Sequence, residues 1–155
     1  MKNLVKTGLN FLYRVIKVNI ENNNSYNYKN LLHHNAIRAI LKKAGINKEN
    51  IYISDGWYKF LPQNLLKNFL EYNLYTDKKY IKEIYDCDNF SFSLMGMASH
   101  ILNGFAFGII WVTRKDRTKH ALNFFIDEDG ELFYIEPQNN EVFQDPTYKP
   151  YFAIM

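Results

Sequence analysis

A chain of 155 residues that is 47% apolar and 17% aromatic is one domain's worth, with enough apolar surface for a real core and too much for disorder. The net charge of +3 is modest, and a single cysteine excludes an internal disulfide, so nothing points to an oxidising compartment. No stretch approaches the roughly 18–20 apolar residues of a membrane span, and Lys6, Asn10, Arg14 and Lys17 break the first apolar runs before signal-peptide length, so a cytoplasmic protein is expected.

Charge is unevenly placed. Residues 1–50 carry nine Lys/Arg against two Asp/Glu, whereas residues 51–155 carry ten against fourteen. Leu4, Leu9, Leu12, Tyr13 and Ile16 are spaced for an amphipathic helix over residues 2–18. An Asn/Tyr-rich stretch, Asn22 to Asn30, then reads as a flexible link. Residues 1–30 are therefore a basic helix and linker, and residues 31–155 the folded domain. The basic segment suits nucleic acid, anionic lipid or an acidic protein partner, or is simply a solvated helix face.

From Leu31 to Ala44 the stripe Ile37, Ile40, Leu41 and Ala44 predicts a helix that Gly45 stops. Ile51-Tyr52-Ile53 reads as a strand turning at Ser54-Asp55-Gly56. Pro62 to Leu74 predicts a helix with proline in its first turn, and Lys78 to Tyr85 a further short one. Past Asp88 the chain is apolar on most sides through Leu102, as a buried helix should be, until Asn103-Gly104. Strands follow at Phe105 to Thr113, His120 to Asp127 and Glu131 to Glu136, with a short extra strand around Phe143. Glu128-Asp129-Gly130 reads as a tight hairpin turn; if Asp129 and Gly130 alone form its loop, paired positions sum to 259, and any other loop length changes that sum. The order predicts an α+β fold with the central helix packed on an antiparallel meander.

Cys87 stands in Tyr85-Asp86-Cys87-Asp88-Asn89-Phe90, at the start of that central helix, where the dipole and unpaired N–H groups favour a thiolate. His120 opens a strand and Glu136 ends the next. Thiol, imidazole and carboxylate in this order are the parts of a cysteine-nucleophile hydrolase or acyltransferase. Asp86 and Asp88 would raise the pKa of the thiol as bare charges, so each must cap the helix or hold a hard cation such as calcium, with Glu136 or Asn139 as further ligands. His33, His34 and His100 have no comparable setting and read as structural, and no ligand pair stands at zinc spacing.

The strings Tyr-Asp-Cys-Asp-Asn-Phe-Ser, His-Ala-Leu-Asn and Ile-Glu-Pro-Gln resemble the C-terminal domain of a fungal galactose-binding mushroom agglutinin and a set of bacterial and phage proteins. The resemblance covers roughly Ile51 to Phe143 and leaves the first 50 residues unexplained. It implies a papain-like fold and calcium-dependent cysteine protease activity, with Cys87, His120 and Glu136 as the catalytic set and Asp86 and Asp88 at a calcium site. No sugar-binding repeat domain is present, so lectin activity is not expected, and the papain signature around the cysteine is absent. No glutamine precedes Cys87 at oxyanion-hole spacing, so Gln63, or the backbone N–H of Cys87 or Asp88, would have to serve. The leading expectation is a hydrolase of peptide or amide bonds with a peptide or protein substrate. The alternative is a non-catalytic binding module, or a phage-associated protein, on the same scaffold.

Overall fold

The computed structural model describes residues 31–144 and 147–155. The N-terminal amphipathic helix, the Asn-rich link and the basic partner surface expected there lie outside the described residues.

Strand β1 (Leu31–His33) pairs antiparallel with β3 (Trp57–Lys59), which is why helix α1 starts only at His34 and runs to Lys43. His33 caps it, its Nδ1 accepting from Asn35 N at 3.3 Å. Strand β2 (Ile51–Tyr52) precedes β3, and helix α2 (Gln63–Leu70) follows Pro62, ending before the expected Leu74. Residues 78–85 are not helical. Ile81 bridges back to Tyr85 and Glu83 takes φ +62°, a conformation that stops a helix.

Helix α3 (Cys87–Ile101) is set by a reciprocal capping box in which Asp86 receives the Asn89 N–H and Asn89 receives that of Asp86. Gly104 at φ +78° turns the chain out of the helix. Strands β4 (Phe107–Thr113), β5 (Lys119–Ile126), β6 (Leu132–Glu136) and β7 (Glu141–Phe143) form the expected meander. Strand β8 (Lys149–Ile154) was not foreseen, and it enters the sheet beside β4 to give the order β2-β8-β4-β5-β6-β7. It is antiparallel to β4 and parallel to β2.

The sheet carries helices on both faces. Ile37 and Leu41 of α1 pack with Ile110, Leu122, Phe124 and Ala153 on one. Leu66 and Phe69 of α2 and Leu94 and Ala98 of α3 pack with Phe107, Phe125 and Ile135 on the other. Among the described residues the fold is thus a mixed helix-and-sheet domain with three α-helices, a six-stranded sheet and the two-stranded β1–β3 pair. Phe124 passes directly over Gly108 on the neighbouring strand, where a Cβ would meet Phe124 Cε1 at 2.6 Å.

Two register details shape the site. The β5–β6 loop is the three residues Glu128-Asp129-Gly130: Asp127 N donates to Glu131 O, and Gly130 sits at φ +78°. Paired positions therefore sum to 258 rather than 259, and Asn123 faces Ile135 rather than Glu136. The β4–β8 register slips by one between Trp111 and Val112, so Tyr151 is the extra residue of a bulge.

Candidate functional site

The two-residue period of strands puts His120 and Glu136 on one side of the sheet once the register is 258. His120 Nε2 and Glu136 Oε2 lie 2.6 Å apart. Glu136 Oε1 accepts from Gln138 Nε2 at 3.1 Å, and Arg114 Nη2 stands 3.9 Å from Oε2. The carboxylate is therefore fixed from three directions, and it fixes the imidazole. Cys87, at the first turn of α3, completes the cluster through a hydrogen bond to His120 and one from the Ala121 backbone N–H. The structure brings Cys87, His120 and Glu136 together.

Their charges follow from these bonds. The His120 bond, helped by the Ala121 N–H, draws the Cys87 pKa below its usual value against the opposing effect of burial. Burial alone would lower the His120 pKa, yet the bonds to Cys87 and Glu136 outweigh it and the net shift is upward. Burial likewise works to raise the Glu136 pKa, and His120 and Gln138 reverse it to a net lowering. The three groups thus favour a thiolate, an imidazolium and a carboxylate in one half-buried crevice.

Two tyrosines border it that sequence reasoning did not select. Burial and the nearby Cys87 thiolate push the Tyr151 hydroxyl pKa up, and burial, Asp86 and Cys87 do the same for Tyr80. Tyr151 reaches the site because it is the bulge residue, and the only signal in the sequence was an aromatic after Pro150, a residue that tolerates a strand only at such irregularities. Lys119 Nζ sits 4.9 Å from the centre of its ring.

Behind the thiol, the Ser91 hydroxyl donates to Cys87 O at 2.9 Å. Asn123 Nδ2 donates to Ser91 O and to Gly108 O, tying α3 to β4 through β5. Asp86 and Asp88 share a hydrogen bond. It lowers the Asp86 pKa and raises that of Asp88. Capping is thereby confirmed for Asp86, whose Oδ2 also accepts from Glu83 N at 3.0 Å. No cluster of three or more His, Cys, Asp or Glu side chains suited to a metal ion occurs among the described residues. Gln63 is not in the crevice. Its amide donates to Asp127 Oδ2 at 3.0 Å, and it lines a separate cavity of about 510 Å³ with Leu66, Phe125 and Val142.

Helix α3 packs chiefly on β4 and β5. Beside the crevice, part of the sheet among the described residues carries exposed aromatic side chains. In that part Phe92, Trp111, Phe152 and Tyr52 touch in sequence, with ring centres 5.9, 5.3 and 5.7 Å apart. Tyr52 is 60% exposed and Phe92 50%, a large aromatic surface to leave in water.

Two solved structures share this fold. PSL1a in its complex with E64 superposes with a TM-score of 0.72 at 23% identity, over 81% of this chain and 51% of that one. The lectin of Polyporus squamosus, bound to the human-type influenza-binding epitope Neu5Acα2-6Galβ1-4GlcNAc, gives 0.67 at 23%, over 81% and 50%. This chain spans about half the length of either. No curated protein matches it.

These similarities overturn the leading expectation. They are to agglutinin and lectin folds, which point to a binding module and not to a cysteine hydrolase or acyltransferase. The protease and catalytic-triad expectation is corrected with it. The three side chains meet as foreseen, but a polar cluster names no reaction without a place for the reacting group, and Gln63, proposed to help supply one, is bonded elsewhere. The mushroom agglutinin resemblance itself stands. Residues 58–142, more than half of the sequence, match the Agglutinin C-terminal family model, and the chain belongs to that family.

Proposed function

We propose that this chain is a carbohydrate-binding module on a papain-like scaffold. The scaffold reading is supported by a thiol-bearing helix packed on the strands that carry the imidazole and the carboxylate. The observation that carries the function is the aromatic row Phe92–Trp111–Phe152–Tyr52 opening beside the Cys87–His120–Glu136 crevice. Sugar rings present apolar C–H faces and hydroxyl edges, and an aromatic surface next to fixed hydrogen-bonding groups complements both. The Polyporus squamosus lectin is described with a sialylated glycan and PSL1a with E64, and ligand binding by this fold comes to the present chain on that likeness. A carbohydrate replaces the peptide or protein substrate.

A glycan array probed with the full chain tests this, the Neu5Acα2-6Galβ1-4GlcNAc epitope among its members. Retention of at least one glycan class is expected, with a loss of about tenfold or more in a Phe92→Ser, Tyr52→Ser double variant whose melting temperature is unchanged. An array on which nothing is retained would end the carbohydrate reading.

Calcium is proposed as the accompanying ion. The neighbouring carboxyls of Asp86 and Asp88 offer the hard oxygen donors it takes, and an ion there would relieve their repulsion. Two carboxylates make a weak site, so millimolar calcium is required, and it should raise the melting temperature of the wild type but not of Asp88→Asn. An identical response in both proteins rules the site out.

A further inference from the structure

The cavity beside α2 shares no residue with the thiol crevice or the aromatic row. Its volume of about 510 Å³ falls within the range of small-molecule sites. Leu66, Leu70 and Phe125, all buried, form its floor, and Val142, 41% exposed, lines it toward solvent. Its walls are fixed in advance. Asn140, at φ +63°, donates to Leu70 O at 2.9 Å and accepts from Asn73 Nδ2 at 2.6 Å, which ties the β6–β7 turn to the end of α2. At the start of the helix Gln63 is held by Asp127 Oδ2. A floor and walls built this way need no rearrangement to receive a ligand.

Helix α2 brings charge to the rim. Asn64, Lys67 and Glu71 are three and four residues apart, so they form a row along one side of the helix, and all three line the cavity. Asn64 Oδ1 accepts from the Leu65 N–H at 2.7 Å, which leaves its NH2 group to donate elsewhere. The ion pairs among the described residues involve neither Lys67 nor Glu71. The two do not pair with each other, and lysine ahead of glutamate is the weaker order for such a pair. Glu71 is also the C-cap of α2, where the helix dipole and the last carbonyls disfavour a carboxylate and favour a cation. Opposite charges thus stand unpaired over an apolar floor, with the anion at the end of the helix that attracts positive charge.

We propose that this cavity binds a free α-amino acid with an apolar side chain. Its ammonium lies against Glu71 and the C-terminal end of α2, and its carboxylate against Lys67 Nζ and the Asn64 amide. Its side chain rests on Leu66, Leu70, Phe125 and Val142. The match has three parts, and each excludes a class of ligand. An uncharged apolar compound leaves both ions unanswered, and a fatty acid answers only Lys67. A peptide end carries one of the two charges, and a sugar leaves the apolar floor unfilled. The site is separate from the aromatic row, so it stands or falls independently of the carbohydrate reading.

Titration calorimetry of the full chain with L-leucine, N-acetyl-L-leucine, L-leucinamide and glycine is the test. Acetylation removes the positive charge, amidation removes the negative one, and glycine lacks the side chain. Leucine should bind about tenfold or more tightly than any of the other three. In Lys67→Gln leucine and leucinamide should bind alike, and in Glu71→Gln leucine and N-acetylleucine should. Both side chains are exposed, so both variants should keep the wild-type melting temperature. A wild type that takes up no leucine at millimolar concentration would remove the site. Equal affinity for leucine and its two blocked forms would reject the zwitterion, and equal affinity for leucine and glycine would reject the apolar floor. A leucine preference that survives in both variants would place the charge contacts elsewhere and overturn the assignment to α2.

Discussion

Iodoacetamide will alkylate Cys87 at pH values where an ordinary cysteine, with a pKa of about 8.5, is still protonated, and His120→Ala will move that reactivity up to the ordinary range. The reason is the bond pattern in the crevice. The thiolate accepts from His120 and from the Ala121 N–H, and the raised imidazole pKa keeps a positive charge beside it. Each group has its own pH window. Stability from the lowered Cys87 pKa is complete above the unfolded thiol value and is lost as pH falls through the folded one. Stability from the raised His120 pKa is complete below the unfolded imidazole value and is lost as pH rises through the folded one. The wild type and the variant should differ most below the unfolded thiol value, where the lowered Cys87 pKa keeps the wild-type thiol ionised and the variant's is protonated. Glu136→Gln should shift the alkylation profile in the same direction as His120→Ala but less, because the imidazole would keep its Cys87 bond and lose its anchor. A wild-type thiol that stays silent until alkaline pH would reduce Cys87 to a packing residue.

Gly108→Ala will be strongly destabilising, although alanine is the smallest side chain that could be added. A Cβ at this position meets the Ile154 carbonyl oxygen of β8 and lies 2.6 and 2.8 Å from two ring carbons of Phe124. The carbonyl cannot rotate away without breaking the β4–β8 pairing, and Phe124 is fully buried. Overpacking of this kind costs about 1–3 kcal/mol, and each kcal/mol lowers the melting temperature of a domain this size by about 2–4 °C. Adding Phe124→Leu should restore only part of the loss, because the shorter side chain relieves the ring and leaves the carbonyl where it is. Thermal denaturation by circular dichroism measures both. A melting temperature unchanged by Gly108→Ala would show that β4 and β8 do not approach as described.

The clustering of Cys87, His120 and Glu136 was legible because each sits at the end of a secondary-structure element, where chain order and turn signals place a residue well. What the cluster is for was not legible. The same three residue types suit several uses, and the aromatic row is contributed by α3, β4, β8 and β2, elements that no local pattern assembles. Strand β8 itself escaped notice because Pro150 argues against a strand interior. It is tolerated because it faces Val112 just where the register slips. The Glu128-Asp129-Gly130 turn was legible, but the number of residues in its loop, and with it the register, was left open because it depends on Asp127. Its Oδ1 accepts from Asp129 N and Glu131 N, which draws a third residue into the turn. The helix expected over residues 78–85 failed for the opposite reason. Its residues have helical propensity, but the Glu83 N–H is held by Asp86 and the chain folds back on itself.

The parallel pairing of β2 with β8 joins Ile51 to Ala153 and Tyr52 to Ile154, positions roughly a hundred residues apart. Contacts between such distant positions form late, because the loop entropy must be met before the pairing returns anything. Phe152 is the ring that connects Trp111 to Tyr52, and Tyr151 is the bulge residue beside the thiol, so both depend on that closure. The meander of β4 to β7 can close by short hairpins alone, and on that order the proposed ligand surface does not exist until the most distant strand has docked. Any local opening of β8 would accordingly erase the aromatic row and expose the thiol in a single event, making ligand competence a report on whether the sheet is complete.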